Sequence, residues 1–125
     1  MINCKTLYTS SSNISGVGTF SSIEIHSGSV LEYDTSFWES INFHDVDKIE
    51  DLNWMGVTDE KAKIIPEGSF LRYMNHSDTP NLTWNPKLCI FVSSYFIPKH
   101  TELTYDYNLE IAPSFIKENK PNWIK

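Results

Sequence analysis

Short apolar runs punctuated by turn-forming residues dominate the chain. Residues 4–9 and 18–25 mix β-branched, aromatic and small polar side chains and are predicted as strands. Ser10 to Gly18 between them is an uncharged Ser/Gly-rich loop, and His26-Ser27-Gly28-Ser29 is a turn after which Val30-Leu31-Glu32-Tyr33 resumes a strand. Residues 34–66 differ in character. Asp45 to Leu52 carries apolar residues at 46, 49 and 52, a helical spacing over a short span. Thr58-Asp59-Glu60-Lys61 reads as a capped turn, and Pro66-Glu67-Gly68 closes the segment. Leu88 to Ile97, apolar and β-branched, is the clearest strand, and Pro98 ends it. In the tail from Ala112, Pro113 favours a short helix start and Pro121 a stop. The predicted fold class is mostly β with short connections and short helices.

Length and composition narrow this picture. A chain of 125 residues, 40% hydrophobic and 14% aromatic, has room for one domain with a modest core and is too apolar for disorder. Its formal charge of −6 argues against direct nucleic-acid binding, which needs a basic footprint on phosphates. An acidic surface suits a basic partner, although an ordinary acidic globular protein has the same charge. Met1 to Ser12 lacks the apolar core of a signal peptide, and no run approaches bilayer length, so an intracellular, cytoplasmic setting without membrane contact is expected. Cys4 and Cys89 fit free thiols in a reducing compartment, which makes the glycosylation triplets at Asn13, Asn75 and Asn81 accidental. The four histidines are scattered without ligand spacing, so no metal site is expected.

Three constellations carry candidate chemistry. Gly16-Val17-Gly18-Thr19-Phe20 permits positive φ and close backbone approach to a ligand, though paired glycines are more often a hairpin turn. Asn75-His76-Ser77 offers amide groups to a polar ligand, or else an Asx-type turn leading to Pro80. Tyr105 and Tyr107 share a face if their strand continues, an arrangement more common in cores than in catalytic pairs.

Their joint order is another matter. The glycine block, then Ile25 through Gly28 to Glu32-Tyr33, then Arg72-Tyr73-Met74-Asn75-His76-Ser77 with Pro80-Asn81, then Glu102-Leu103-Thr104-Tyr105-Asp106-Tyr107, resembles the signature of SET-domain protein-lysine methyltransferases from about residue 12 to 107. The length is similar to minimal stand-alone SET proteins of large DNA viruses and some bacteria. The resemblance implies a SET fold of small twisted sheets with a C-terminal pseudoknot over residues 1–110, a variable insert at 34–66, and a tail at 111–125 acting as a lid. It implies S-adenosylmethionine as cofactor, held by Gly16, Val17, Gly18, Phe20, Arg72, Asn75, His76 and Tyr107. Tyr107 matches the catalytic tyrosine, Tyr105 the position that limits methylation to one or two methyl groups, and Trp84 would wall the lysine channel. The implied partner is a lysine-containing protein or basic peptide, a histone among them, with a host nucleus as the setting for a viral member. Monomer and homodimer stay equally open. A catalytically silent SET-fold module that binds peptide or cofactor is the alternative. Asp78 and Thr79 stand where many relatives carry a zinc-binding Cys, so the post-SET zinc site is absent; His100-Thr101 replaces the usual Gly-Glu.

Overall fold

The structure is a computed structural model that describes residues 1–48, 54–56 and 60–109. Among the described residues, ten short strands form three small sheets, joined by turns and short 3-10 segments. The first sheet, in the order β1-β2-β10-β7, contains β1 (Leu7–Ser11), β2 (Val17–Ser21), β10 (Glu102–Tyr105) and β7 (Asn75–His76). The second, β3-β9-β8, is built from Val30–Glu32, Ile90–Ser93 and Leu82–Asn85. The third, β4-β6-β5, consists of Ser40–Asn42, Lys61–Ile64 and Trp54–Gly56 and lies wholly within the 34–66 segment.

Strand β10 explains the architecture. It pairs antiparallel to β2, with Glu102 opposite Phe20 and Leu103 opposite Thr19. It also pairs parallel to β7, with Thr104 beside Asn75 and Tyr105 beside His76. The last described strand therefore sits between two earlier ones, and the two specific sequence blocks become neighbours as the resemblance implies. Leu103, Thr104 and Tyr105 are buried in consequence, a fully covered strand rather than an alternating one.

Asn81 joins the first sheet to the second. Its side chain is buried, and its amide works as a piece of strand: Nδ2 donates to the Glu102 carbonyl at 2.8 Å and Oδ1 accepts from Thr104 N–H at 2.9 Å. Its own carbonyl accepts from Ser94 N–H beside β9. The main core fills the space between these two sheets, with Leu31, Leu82, Phe91 and Leu103 fully enclosed. A smaller cluster of Phe43, Trp54 and Ala62 sits against the third sheet.

Several local expectations shift. The predicted first strand begins later, because Cys4–Thr6 forms a 3-10 turn capped by the Asn3 side chain. The 18–25 strand stops at Ser21, and Ile25 returns only as an isolated bridge to Ile97. The long strand over 88–97 shortens to Ile90–Ser93: Cys89 has φ 55 and belongs to the hairpin turn. The 45–52 helix is a 3-10 segment over Phe43–Lys48, with its remainder outside the described residues. Much of the 58–61 turn and the entire tail, including the Pro113 helix and the lid, also lie outside them. His100 takes a left-handed backbone with φ 64, and its ring is tied to the Tyr8 hydroxyl at 2.7 Å.

Candidate active site

The site is assembled where β7, β10 and the loop before β2 meet. Residues 12–16 are held by Ser12, whose hydroxyl oxygen accepts the N–H groups of Ile14 at 2.9 Å and Ser15 at 3.2 Å. Gly16 follows at φ +49, the left-handed region where a side chain would be strained. Gly18 has a different reason for being glycine. A Cβ there would run into Glu102, within 2.6 Å of its Cδ.

Asn75 reaches from β7 into this loop. Its Nδ2 lies 3.1 Å from Ser12 Oγ, 3.1 Å from the Ser15 carbonyl, 3.3 Å from the Val17 carbonyl and 2.7 Å from Glu102 Oε2. An amide nitrogen carries only two hydrogens for these four acceptors. The corner is therefore rich in lone pairs and short of donors, a setting that favours a positively charged group.

His76, next along β7, is buried and hydrogen-bonded through both ring nitrogens. Tyr107 N–H donates to Nδ1 at 3.0 Å, which makes Nδ1 the acceptor and leaves Nε2 to donate to Asp78 at 2.9 Å. Asp106 Oδ1 also stands 3.7 Å from Nδ1. Asp78 thus orients the His76 ring from Nε2. Among the described residues no group of three metal-ligating side chains occurs.

Tyr107 does not continue the strand. It begins a 3-10 turn over Tyr107–Leu109, held by the His76 contact, yet its ring still packs 4.8 Å from that of Tyr105 and 5.2 Å from His76. Its hydroxyl donates to the Met74 carbonyl, the residue directly before Asn75. Tyr105 is buried edge-on to Trp84 at 5.0 Å and to Phe91 at 5.1 Å. Trp84 is buried as well, donating Nε1–H to the Tyr33 hydroxyl at 2.8 Å, and Trp38 stacks on Tyr33 from the insert. An aromatic wall therefore runs from the insert to Tyr107.

Gly16, Val17, Gly18, Asn75, His76, Tyr105, Tyr107 and Trp84 consequently lie in two adjoining groups, the loop corner and the aromatic wall. Arg72 is half-buried and donates to the Ile65 carbonyl at 3.1 Å, bracing the end of the insert. Phe20 stacks on Tyr8 at 5.6 Å, on the β1 side of the sheet. An open groove of about 460 Å³ between Leu7–Thr9 and Gly68–Phe70 includes none of the expected site residues. Sequence reasoning assigned no role to Ser12, Glu102 or Asp78 as polar partners. Ser12 is one of several serines in its loop, and nothing in the pattern distinguishes it.

Three small sheets, a last strand placed between two earlier ones, and an Asn-His pair against a tyrosine define a class that family comparison identifies. The SET domain family model matches residues 16–108, most of the chain, and the chain belongs to that family. It is also 37% identical over 68 residues, 46% of its length, to a protein of Arabidopsis thaliana named histone-lysine N-methyltransferase, H3 lysine-9 specific SUVH1. The match spans only about 10% of that relative.

Proposed function

We propose that the protein transfers a methyl group from S-adenosylmethionine to the ε-amine of lysine in a protein substrate. The observation that carries this reading is the convergence, around β7 and β10, of a donor-poor polar corner and a tyrosine whose hydroxyl is fixed on the Met74 carbonyl. The residues present fit the cofactor. The surplus acceptors around Asn75 suit its amino group, and Gly16, with open space where a side chain would stand, admits a ligand against the backbone. S-adenosylmethionine, when bound, supplies an electrophilic methyl group on a sulfonium centre.

The chain's own residues then do three things. Half-buried Tyr107, backed by the buried rings of Tyr105 and Trp84, gives an incoming ammonium an aromatic surface that attracts the cation as it leaves water. Desolvation lowers the amine's pKa from about 10.4, favouring the neutral nucleophile, with water carrying the proton away. Tyr107, with its proton committed to Met74, keeps oxygen lone pairs to orient the amine and stabilise a polarised methyl group. Tyr105 beside it limits the product to mono- or dimethyl-lysine.

A basic segment suits a chain of charge −6, and the name of the plant relative makes a histone tail the first substrate to try. Calorimetric titration with S-adenosylmethionine, followed by labelled-methyl transfer to a panel of basic peptides, tests the reading. Binding with transfer to lysine supports it. Binding without transfer to any peptide favours the silent interaction module, and absence of binding overturns both the cofactor and the activity.

A further inference from the structure

Glu102 opens β10 directly opposite Phe20 and next to the donor-poor corner. Its two oxygens are divided between two walls. Oε1 accepts from the Ser12 hydroxyl at 2.6 Å, and Oε2 accepts from Asn75 Nδ2 at 2.7 Å. Ser12 in turn gathers the N–H groups of Ile14 and Ser15, while Asn75 reaches the carbonyls of Ser15 and Val17. The result is a closed ring of hydrogen bonds joining the glycine loop, β7 and β10. Charge-assisted bonds of this kind are among the stronger ones.

Gly18 completes the picture. A Cβ at that position would strike the Glu102 carboxylate. A long side chain normally moves aside at little cost, but this one is held at both oxygens. Gly16, by contrast, has open space around it and is glycine for its φ of +49. The two glycines of one motif thus meet different demands, and the demand on Gly18 comes from Glu102.

We propose that Glu102 is a positioning residue of the cofactor site: through Ser12 and Asn75 it sets the glycine loop in its binding shape before the cofactor arrives. This rests on the cofactor reading above. It makes the acid that begins the Glu-Leu-Thr run a determinant of cofactor affinity rather than of chemistry. Preorganising a loop raises affinity by removing an ordering cost at the moment of binding.

The test is a thermodynamic cycle on affinity for S-adenosylmethionine, measured by calorimetry with wild type, Glu102→Ala, Gly18→Ala and the double variant. Glu102→Ala should weaken binding roughly ten- to a hundredfold, the scale of one charge-assisted hydrogen bond. Gly18→Ala should weaken it at least about tenfold in the wild-type background, yet add almost nothing once Glu102 is alanine. Equal cost of Gly18→Ala in both backgrounds overturns the proposal, as does unchanged affinity in Glu102→Ala. Ser12→Ala, at a half-buried loop position, carries the same expectation of weaker binding should Glu102→Ala fail to fold. A readout without cofactor separates this proposal from the activity. Amide hydrogen exchange at residues 14–18 should accelerate in Glu102→Ala or Ser12→Ala while β8 and β9 exchange as before. If wild type binds no cofactor, the cofactor reading fails and so does the affinity role; unchanged exchange sinks the strut itself.

Discussion

Replacing Asn81 by alanine should be the most damaging polar substitution outside the site. The side chain is buried, with 6% of its surface exposed, and makes two hydrogen bonds to the backbone of β10. Truncation removes the acceptor of Thr104 N–H and the donor to the Glu102 carbonyl, and no side chain of alanine size can replace either. Leaving a buried polar group unpaired costs about 1–3 kcal/mol, so two such losses come to about 2–6 kcal/mol. Against a total stability of about 5–15 kcal/mol for a domain, that is a large share. At this chain length the melting temperature should fall by about 10 °C for a loss of about 3 kcal/mol. Equilibrium urea unfolding with fluorescence and circular dichroism measures it, with an unchanged m-value as the sign that the folded state keeps its surface. Asn81→Asp is the sharper control. It retains an acceptor for Thr104 but sets a carboxylate oxygen against the Glu102 carbonyl, so it should do no better than alanine. A change within about 0.5 kcal/mol for Asn81→Ala, the range of neutral surface substitutions, would refute the claim that this amide bonds the two sheets together.

The other expectations are more local. Tyr107→Phe should abolish labelled-methyl transfer while calorimetry finds cofactor affinity within about threefold of wild type, a difference under about 1 kcal/mol; undiminished turnover defeats the assignment. Tyr105→Phe should raise the methylation state of the product in intact-mass spectra, and trimethyl-lysine from the unmodified protein contradicts it. Cys89→Gly should stabilise the β8–β9 hairpin by up to about 1 kcal/mol, because a left-handed φ of 55 is costly for a residue with a Cβ; thermal melts decide. Asp34 is held below its ordinary carboxyl pKa chiefly by the Ser36 backbone N–H. The folded value is the depressed one, so its stabilising effect is present above the unfolded pKa and fades as pH falls through the folded pKa. An NMR titration of Asp34 should show the low midpoint, which Ser36→Pro, lacking that N–H, should raise.

Much of the site was legible because its residues are tied to motif order. Asn75-His76 and Tyr105-Asp106-Tyr107 stand out in the chain, and the structure sets them side by side through the β7–β10 pairing. Periodicity could not have said so, since a two-residue parallel strand leaves no period to read. The insert was legible as different but not as a sheet. Its strands are three or four residues long, and Ala62 and Trp54 are buried by a partner cluster that no local pattern announces. Leu88 to Ile97 misled in the opposite direction. Its composition favours one long strand, while Cys89 turns the chain before it and Ser94 leaves the ladder to bond Asn81. Glu102 was plainly visible, but a carboxylate's partners depend on segments 90 and 27 residues away.

The central place of β10 has a consequence for how the protein comes into being. During synthesis β2 and β7 are made long before the strand that separates them, and they do not pair with each other in the finished sheet. Until Glu102–Tyr105 arrives, both carry open edges, the feature that invites mispairing with other chains. The glycine loop meanwhile lacks Glu102, and His76 lacks the Tyr107 amide. Assembly of the candidate site should therefore come in a single late step, as β10 inserts, rather than accumulate as the chain grows. A domain organised this way has no half-built candidate site to misuse.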